Sequence, residues 1–328
     1  MNKKRLSFLC LSLAASLGFA GTSYAQGSSD PGLSTVGAMR SGAGVVIVDD
    51  VMENHKAQLS VGHTFAEGER GTNINIPTLE GRIPVLEHGY FDFKLPIYAA
   101  KGELASVAGL GDASVTYTHH WYNLEQFSFQ ATGGLKLGMG NSTITDGSGR
   151  PLPMTYQSSL GTTDLMIGAN VMWKKYVTLA AGYQQPIIRY TENDYLRMSP
   201  ANELSYSTVD YPLSRKLYRN GDVMMRLEGH YSGERAGISA GPWAIYHLAN
   251  DLYQDETGRW RELNGSEGFT LNVAGNAYIR WGRLGEWKFD VTAALPVVKR
   301  DIAPDGLTRQ WMVTPRLTYF FGQQVLIF

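Results

Sequence analysis

Across residues 109–139 the chain alternates, one residue at a time, between two kinds of side chain. Ala113, Val115, Tyr117, His119 and Trp121 interleave with Ser114, Thr116, Thr118, His120 and Tyr122. After Asn123-Leu124-Glu125 the return leg sets Phe127, Phe129, Ala131, Gly133, Leu135, Leu137 and Met139 against Gln126, Ser128, Gln130, Thr132, Gly134, Lys136 and Gly138. A period of two places successive side chains on opposite faces of a strand. Each leg exceeds the roughly 9–11 residues that a tilted membrane-spanning strand needs. The spacing predicts a transmembrane hairpin reversing at 123–125.

The same grammar recurs from residue 56 onward. It predicts strands over 56–66, 79–86, 89–97, 111–122, 126–139, 163–173, 176–188, 221–232, 235–248, 268–281, 286–298 and 309–321. Connections alternate long and short: ten residues at 299–308 and about thirty at 189–220, but only Lys174-Lys175 between two other strands. That alternation is the mark of an all-β fold, a closed antiparallel transmembrane β-barrel of about 12 strands with long extracellular loops and short periplasmic turns. An even strand count puts both ends of the barrel on the periplasmic side. Aromatic residues gather at the short turns: Tyr90 and Phe91, Trp121 and Tyr122, Trp173 and Tyr176, Tyr231, Trp281 and Trp287. Barrels carry such girdles where they meet the membrane–water interface.

Charge sorts with the alternation. The phase holding Leu59, Val61 and Phe65, then Phe91, Phe93, Leu95 and Ile97, then Leu165, Ile167 and Val171, carries no Asp, Glu, Lys or Arg. The same phase continues in Val223, Met225 and Leu227, in Phe269, Leu271, Val273 and Ile279, and in Phe289, Val291, Leu295 and Val297. A charge facing mid-bilayer lipid costs about 2–4 kcal/mol, which explains the exclusion. The opposite phase holds Glu80/Arg82, Asp92/Lys94, Arg226/Glu228 and Lys288/Asp290, opposite-sign pairs two apart and hence on one face. The strand 235–248 breaks the rule, because Trp243 and Ile245 fall in its polar phase. Either that strand is bulged or an apolar patch faces the lumen.

The ends divide the chain into a signal peptide at 1–25, an N-terminal periplasmic segment or lumen plug at 26–55, and the barrel at 56–328. Lys3, Lys4 and Arg5, the apolar run 6–20 and Ser23-Tyr24-Ala25 have the order of a cleavable secretory leader. The only cysteine, Cys10, leaves with it, so thiolate catalysis, disulfides and cysteine metal sites are excluded. Without the three leader cations the 29 basic residues fall to 26 against 30 acidic, a net charge of about −4. With no basic run, that balance argues against nucleic acid. Mean hydropathy is −0.20, and no apolar stretch of about 18 residues follows the leader, which excludes helical spans but not strands. Segment 26–55 is rich in Gly and Ser; the pattern leaves tail and plug equally open. The terminal Phe328, after Leu317, Tyr319 and Phe321, resembles the signal read by the barrel-insertion machinery.

Two recurrences go further. Asp112, Asp164 and Asp222 stand where strands re-enter from long loops, suited to accepting loop N–H bonds. Pro96, Pro186 and Pro296 stand near the outer ends of strands, where prolines belong. Leu95-Pro96-Ile97, the segment 106–112 with its Gly109-Leu110-Gly111-Asp112, and Leu295-Pro296-Val297 together resemble the MetA-pathway phenol-degradation family. That resemblance implies an outer-membrane barrel that passes aromatic and other hydrophobic small molecules.

The functional expectation is a channel or transporter for a small, hydrophobic or aromatic solute through a narrow charged lumen. The solute path is assigned to Arg82, Asp92, Lys94, Asp112, Lys136, Asp164, Arg226, Glu228, His230, Arg280, Lys288, Asp290 and Arg316. Expected partners are outer-membrane lipid, the insertion machinery and the solute, with no cofactor and no metal. Three other readings stand beside it. A sealed structural barrel would use its inner charges only for stability. A phospholipase-like enzyme would use His230-Tyr231-Ser232, but no third group is evident to orient the histidine. A receptor would present the loop containing Tyr190, Tyr195, Tyr206, Tyr211 and Tyr218. His119 and His120 are adjacent on a strand and cannot share one ion, and Asp251, Asp255 and Glu256 match no recognised calcium loop.

Overall fold

The computed structural model describes residues 36–40, 56–85, 88–124, 126–196, 211–233, 235–283, 285–306 and 309–321. The leader at 1–25, most of 26–55 and the terminal Phe328 lie outside the described residues. The strands are β1 (Gln58–Glu67), β2 (Asn73–Val85), β3 (Gly89–Lys101), β4 (Ser106–Leu110), β5 (Ala113–Leu124), β6 (Phe127–Leu137), β7 (Thr163–Trp173) and β8 (Val177–Ile188). They continue as β9 (Asp222–Ser232), β10 (Ala236–His247), β11 (Leu252–Gln254), β12 (Trp260–Glu262), β13 (Gly268–Trp281), β14 (Trp287–Val298) and β15 (Trp311–Phe320).

Each long strand pairs antiparallel with its sequence neighbours, and β1 pairs with β15 from Gln58↔Phe320 to Glu67↔Trp311, closing the sheet on itself. β4 and β5 both lie along β3 and form one wall strand interrupted at Gly111-Asp112, so the wall has twelve strands. β11 and β12 pair only with each other in the connection between β10 and β13, and the alternation gave no sign of them. No helix among the described residues is long and apolar enough to cross a membrane.

The expected apolar phase does face outward. Val61, Phe93, Ile97, Ile167, Leu227, Val273, Ile279 and Val297 are all among the exposed large hydrophobic side chains. Trp121, Trp173, Tyr176, Tyr231 and Trp281 are exposed at the tight-turn end, as expected of a girdle. Tyr90 is a correction. It is buried inside the barrel, with the Arg82 guanidinium 3.7 Å above its ring. Its neighbour Phe91 takes the outward position. The hairpin turn is also displaced: β5 runs on to Leu124, which pairs with Phe127 across a register shift.

Two loops expected to be long are short because their strands run past the expected ends. β2 starts at Asn73, so only 68–72 separates it from β1, and Pro77 sits opposite His63 without ending the strand. The prolines mark irregularities in pairing. The register of β7 on β8 shifts beside Pro186, and that of β13 on β14 shifts beside Pro296. At Pro96 the carbonyl accepts from the Gly111 N–H at 2.9 Å, where the wall strand breaks. A residue with no N–H of its own suits such a bulge.

Trp243 and Ile245 are 4% and 3% exposed in a continuous β10–β13 register, so β10 is not bulged there and the apolar patch faces the lumen. They belong to an inward cluster with Ala66, Ile74, Ala100, Met166, Met224, Ala274, Ala294 and Met312. A second apolar cluster, Leu152, Tyr156 and Tyr211, lies in the loops, with Leu104, Ile144 and Tyr195 packed against it.

Candidate functional site: the lumen

The segment 36–40 enters the barrel. Its short 3-10 turn Gly37–Met39 packs against β5, β6, β7 and β8, and Val36, Ala38 and Met39 join the inward apolar cluster. Gly37 takes φ +45°, and a side chain there would collide with Thr132 and Thr118. The Ala38 N–H donates to Thr132 Oγ1 at 2.8 Å, and Asn170 Nδ2 donates to the Ala38 carbonyl at 2.7 Å. Arg40 forms an ion pair with Glu80, and its carbonyl accepts from the Arg226 guanidinium. Buried backbone groups thus find partners on the wall, which a segment crossing a lumen requires.

The ionic face is organised across strands more than along them. Arg82 Nε meets Asp92 at 2.7 Å from β2 to β3, and Arg316 reaches Asp290 at 2.7 Å and Glu80 at 3.5 Å. Of the expected pairs two apart, Arg226 and Glu228 do meet, at 3.4 Å. Directly opposed residues on paired strands lie about 4.5–5.5 Å apart, closer than residues two apart on one strand, so cross-strand partners prevail. Lys136 joins Asp164 at 2.8 Å and Asp112 at 3.4 Å. The strand-entry aspartates therefore bind side chains, where loop N–H groups were expected: Asp112 also accepts from Ser159, and Asp222 from His247.

At the long-loop end, buried charges tie three connections together. His247 is held between Asp222 at 2.7 Å and Asp251 at 2.9 Å. Arg219 meets Asp305 at 3.0 Å and Asp222 at 3.3 Å, and Arg300 meets Asp305 at 2.7 Å. Burial works against the Arg219 charge, but the Asp305, Asp222 and Asp251 carboxylates outweigh it and hold the group above its ordinary range. In the neighbouring loop, burial and the bond to Tyr156 push the Tyr211 phenol up.

Between these two ends lies a cavity of about 220 Å³. Arg40 borders it from the N-terminal segment, Leu160, Asp305 and Arg309 from the loops, and the wall supplies the rest. Its lining combines charged side chains, Glu80, Lys94, Asp112, Lys136, Arg226 and Arg316, with apolar ones, Ile76, Met166, Trp243 and Met312. A second recess of about 850 Å³ opens between β4 and residues 139–147, beside exposed Leu110 and Met139. Ser158 lines both spaces.

Of the residues assigned from sequence, Lys94, Asp112, Lys136, Arg226 and Arg316 line the cavity. Asp164, Asp290 and Glu228 are buried behind them as counterions, while Arg82 and Asp92 border a smaller space shared with Arg40. His230 pairs with Thr178 Oγ1 at 2.8 Å; that bond goes to a threonine and gives no support to a His230–Ser232 relay. Arg280 and Lys288 sit opposite each other near the tight turns, against the Tyr278 ring, and are absent from the cavity lining. His120 turns inward against Tyr90 and His119 outward against Trp121, on opposite faces as expected. Asp251 is buried while Asp255 is held in an exposed turn by Thr257 and Arg261, so they share no site. Among the described residues no group of His, Cys, Asp and Glu could hold a metal ion.

Sequence reasoning missed Arg40, Glu80 and Arg309. Arg40 is the only Lys or Arg between 26 and 55, and a lone cation in a Gly/Ser-rich stretch was the available signal. Glu80 was visible as half of an opposite-sign pair, whereas Arg309 stood at the edge of its strand with nothing to mark it.

No family model matches the chain, and no curated protein matches it in sequence. Among solved structures it is similar to the COG4313 outer membrane channel from Pseudomonas putida F1, with a TM-score of 0.57 at 12% identity, covering 81% of this chain and 94% of that one. The CymD monoaromatic hydrocarbon channel gives 0.44 at 12% identity, covering 93% and 100%, and the KdgM porin 0.41 at 7%, covering 81% and 99%. The sheet closure, the outward apolar face and the first of these likenesses agree: the chain has the fold of a bacterial outer-membrane β-barrel channel.

Proposed function

We propose that this protein is a passive outer-membrane channel for small amphipathic solutes, hydrophobic or aromatic in their body, with the segment around 36–40 as its inner gate. In this reading the tight turns face the periplasm and the long loops face outward. The observation that carries it is the cavity bordered by that segment, the loops and the wall, with both ionic and apolar side chains in its lining. A sealed barrel would gain nothing from leaving such a space, since empty volume forfeits packing. The lining has the mixed character of small-molecule sites, mostly apolar surface with a few placed polar groups. The recess beside β4 offers an approach from the wall side, with Ser158 between it and the cavity. The motifs at 95–97, 106–112 and 295–297 that resemble the MetA-pathway family support the aromatic end of this range.

The segment is held by a few hydrogen bonds of about 0.5–1.5 kcal/mol each, one ion pair and the burial of Met39. That is enough to keep the lumen closed most of the time, yet within the range of local opening. The test is uptake of radiolabelled phenyl glucoside into proteoliposomes by the full mature chain and by a chain lacking 26–54. Uptake above empty liposomes, faster in the deletion, is the expected result. Equal uptake by both proteins and by empty liposomes would overturn the proposal.

A further inference from the structure

The cavity carries more than a path. Its lining includes six cations, Arg40, Lys94, Lys136, Arg226, Arg309 and Arg316, against three carboxylates, Glu80, Asp112 and Asp305. Each of those carboxylates is already bridged: Glu80 by Arg40 and Arg316, Asp112 by Lys136, and Asp305 by Arg219 and Arg300. Arg309 has no ion pair among the described residues, and its Nε is buried without an acceptor. The Trp243 indole, which lines the same cavity, is 4% exposed, and its Nε1–H is likewise buried without an acceptor among the described residues. A buried donor left unpaired costs about 1–3 kcal/mol, so two of them on one cavity are a deficit that an acceptor would repair. The carboxylates of the lining do not supply one, because each is already held by its own cations.

We propose that the cavity is a binding site for the anionic end of a small amphipathic solute, a carboxylate by chemical class, which accepts from Arg309 and from the Trp243 indole N–H while its apolar body lies against Met166, Met312 and Ile76. The inference rests on the channel reading and narrows it from small organic solutes to organic anions. An arginine beside a carboxylate supplies the stronger, charge-assisted hydrogen bond, and the indole supplies a directional neutral one. The apolar side sets the size and hydrophobicity of the body, and the bridged ion pairs around it keep the remaining cations from collapsing onto the ligand.

The test uses the full mature chain in nanodiscs and measures binding of benzoate and of benzamide by calorimetry, with empty nanodiscs subtracted. The two probes share their shape and differ in charge. Benzoate is expected to bind about tenfold more tightly than benzamide, and Arg309→Gln to erase that preference. Trp243→Phe should weaken benzoate about three- to tenfold. Folding of each variant is checked by heat-modifiable gel migration, and Arg309→Gln, at the loop edge, decides the matter if Trp243→Phe does not fold. Equal affinity for the two probes, no benzoate binding, or a preference that survives Arg309→Gln would each overturn the proposal. Uncharged phenyl glucoside uptake separates the two readings: if it persists while benzoate shows no preference, the anion site falls and the channel stands.

Discussion

Asn170→Ala tests the inner gate with a single side chain. Asn170 Nδ2 donates at 2.7 Å to the carbonyl of Ala38, a residue with no exposed surface. Removing the donor leaves that carbonyl buried and unpaired, at a cost of about 1–3 kcal/mol. The bond from the Ala38 N–H to Thr132 and the Arg40–Glu80 pair remain, so the segment stays bound but less tightly. A change of 1–3 kcal/mol multiplies the displaced population about 5- to 150-fold. The assay is thiol labelling of Val36→Cys, nearly isosteric with valine and 5% exposed. Cys10 is the only cysteine of the sequence, so in a chain that starts at residue 26 this would be the only thiol. When reclosing is fast, the labelling rate by an impermeant maleimide follows the open population. The rate should rise at least fivefold with Asn170→Ala, while heat-modifiable migration shows an intact barrel. An unchanged rate would refute the reasoning, as would a Val36→Cys that labels with Asn170 intact as fast as an exposed thiol.

The other expectations concern the wall and the loops. Ile167→Lys puts a charge on the outer face in mid-strand and should cost about 2–4 kcal/mol in a urea titration of folding into vesicles, with Gly168→Leu, on the inner face, leaving the bilayer-facing surface unchanged. That second variant would drive a side chain into Met39 and should raise the Val36→Cys labelling rate without lowering urea resistance by as much. Lys136→Met strands the fully buried Asp164 and should destabilise the barrel by about 3–5 kcal/mol in the same titration. Lys299, just beyond β14, has a buried ammonium with no partner among the described residues, and burial lowers it from 10.5 to about 8. Between those values the unfolded chain binds more protons, so stability should rise as pH increases from about 8 towards 10.5. In urea titrations across that range Lys299→Met should flatten the rise, and a parallel curve would contradict the assignment.

Much of the barrel was legible because the period of two reports a physical boundary directly. Every strand with lipid on one side must keep that side uncharged, and Leu165, Ile167 and Val171 show it without any knowledge of partners. Pairing across strands was not legible: Glu80 sits two residues from Arg82, yet its partners Arg40 and Arg316 come from opposite ends of the chain. Tyr90 misled because an aromatic at a turn has the same composition signature whether it faces headgroups or an arginine inside. Trp243 and Ile245 violated the polar phase, and that violation was itself the sign of the apolar lining. β4 escaped notice because Gly111-Asp112 interrupts the alternation where the wall strand bends. The N-terminal segment was undecidable, since Gly-rich backbone suits a free tail and a close-packed turn equally well; within it, the hydrogen bonds of Ala38 to Thr132 and Asn170 place only 36–40 inside the barrel.

The most direct test of a gated, space-enclosing barrel is single-channel recording in planar bilayers of the mature chain and of a chain lacking 26–54. The account predicts small or rare openings for the full chain and a steady, larger conductance once the segment is gone. Silence from both proteins, inserted and heat-modifiable, would contradict it.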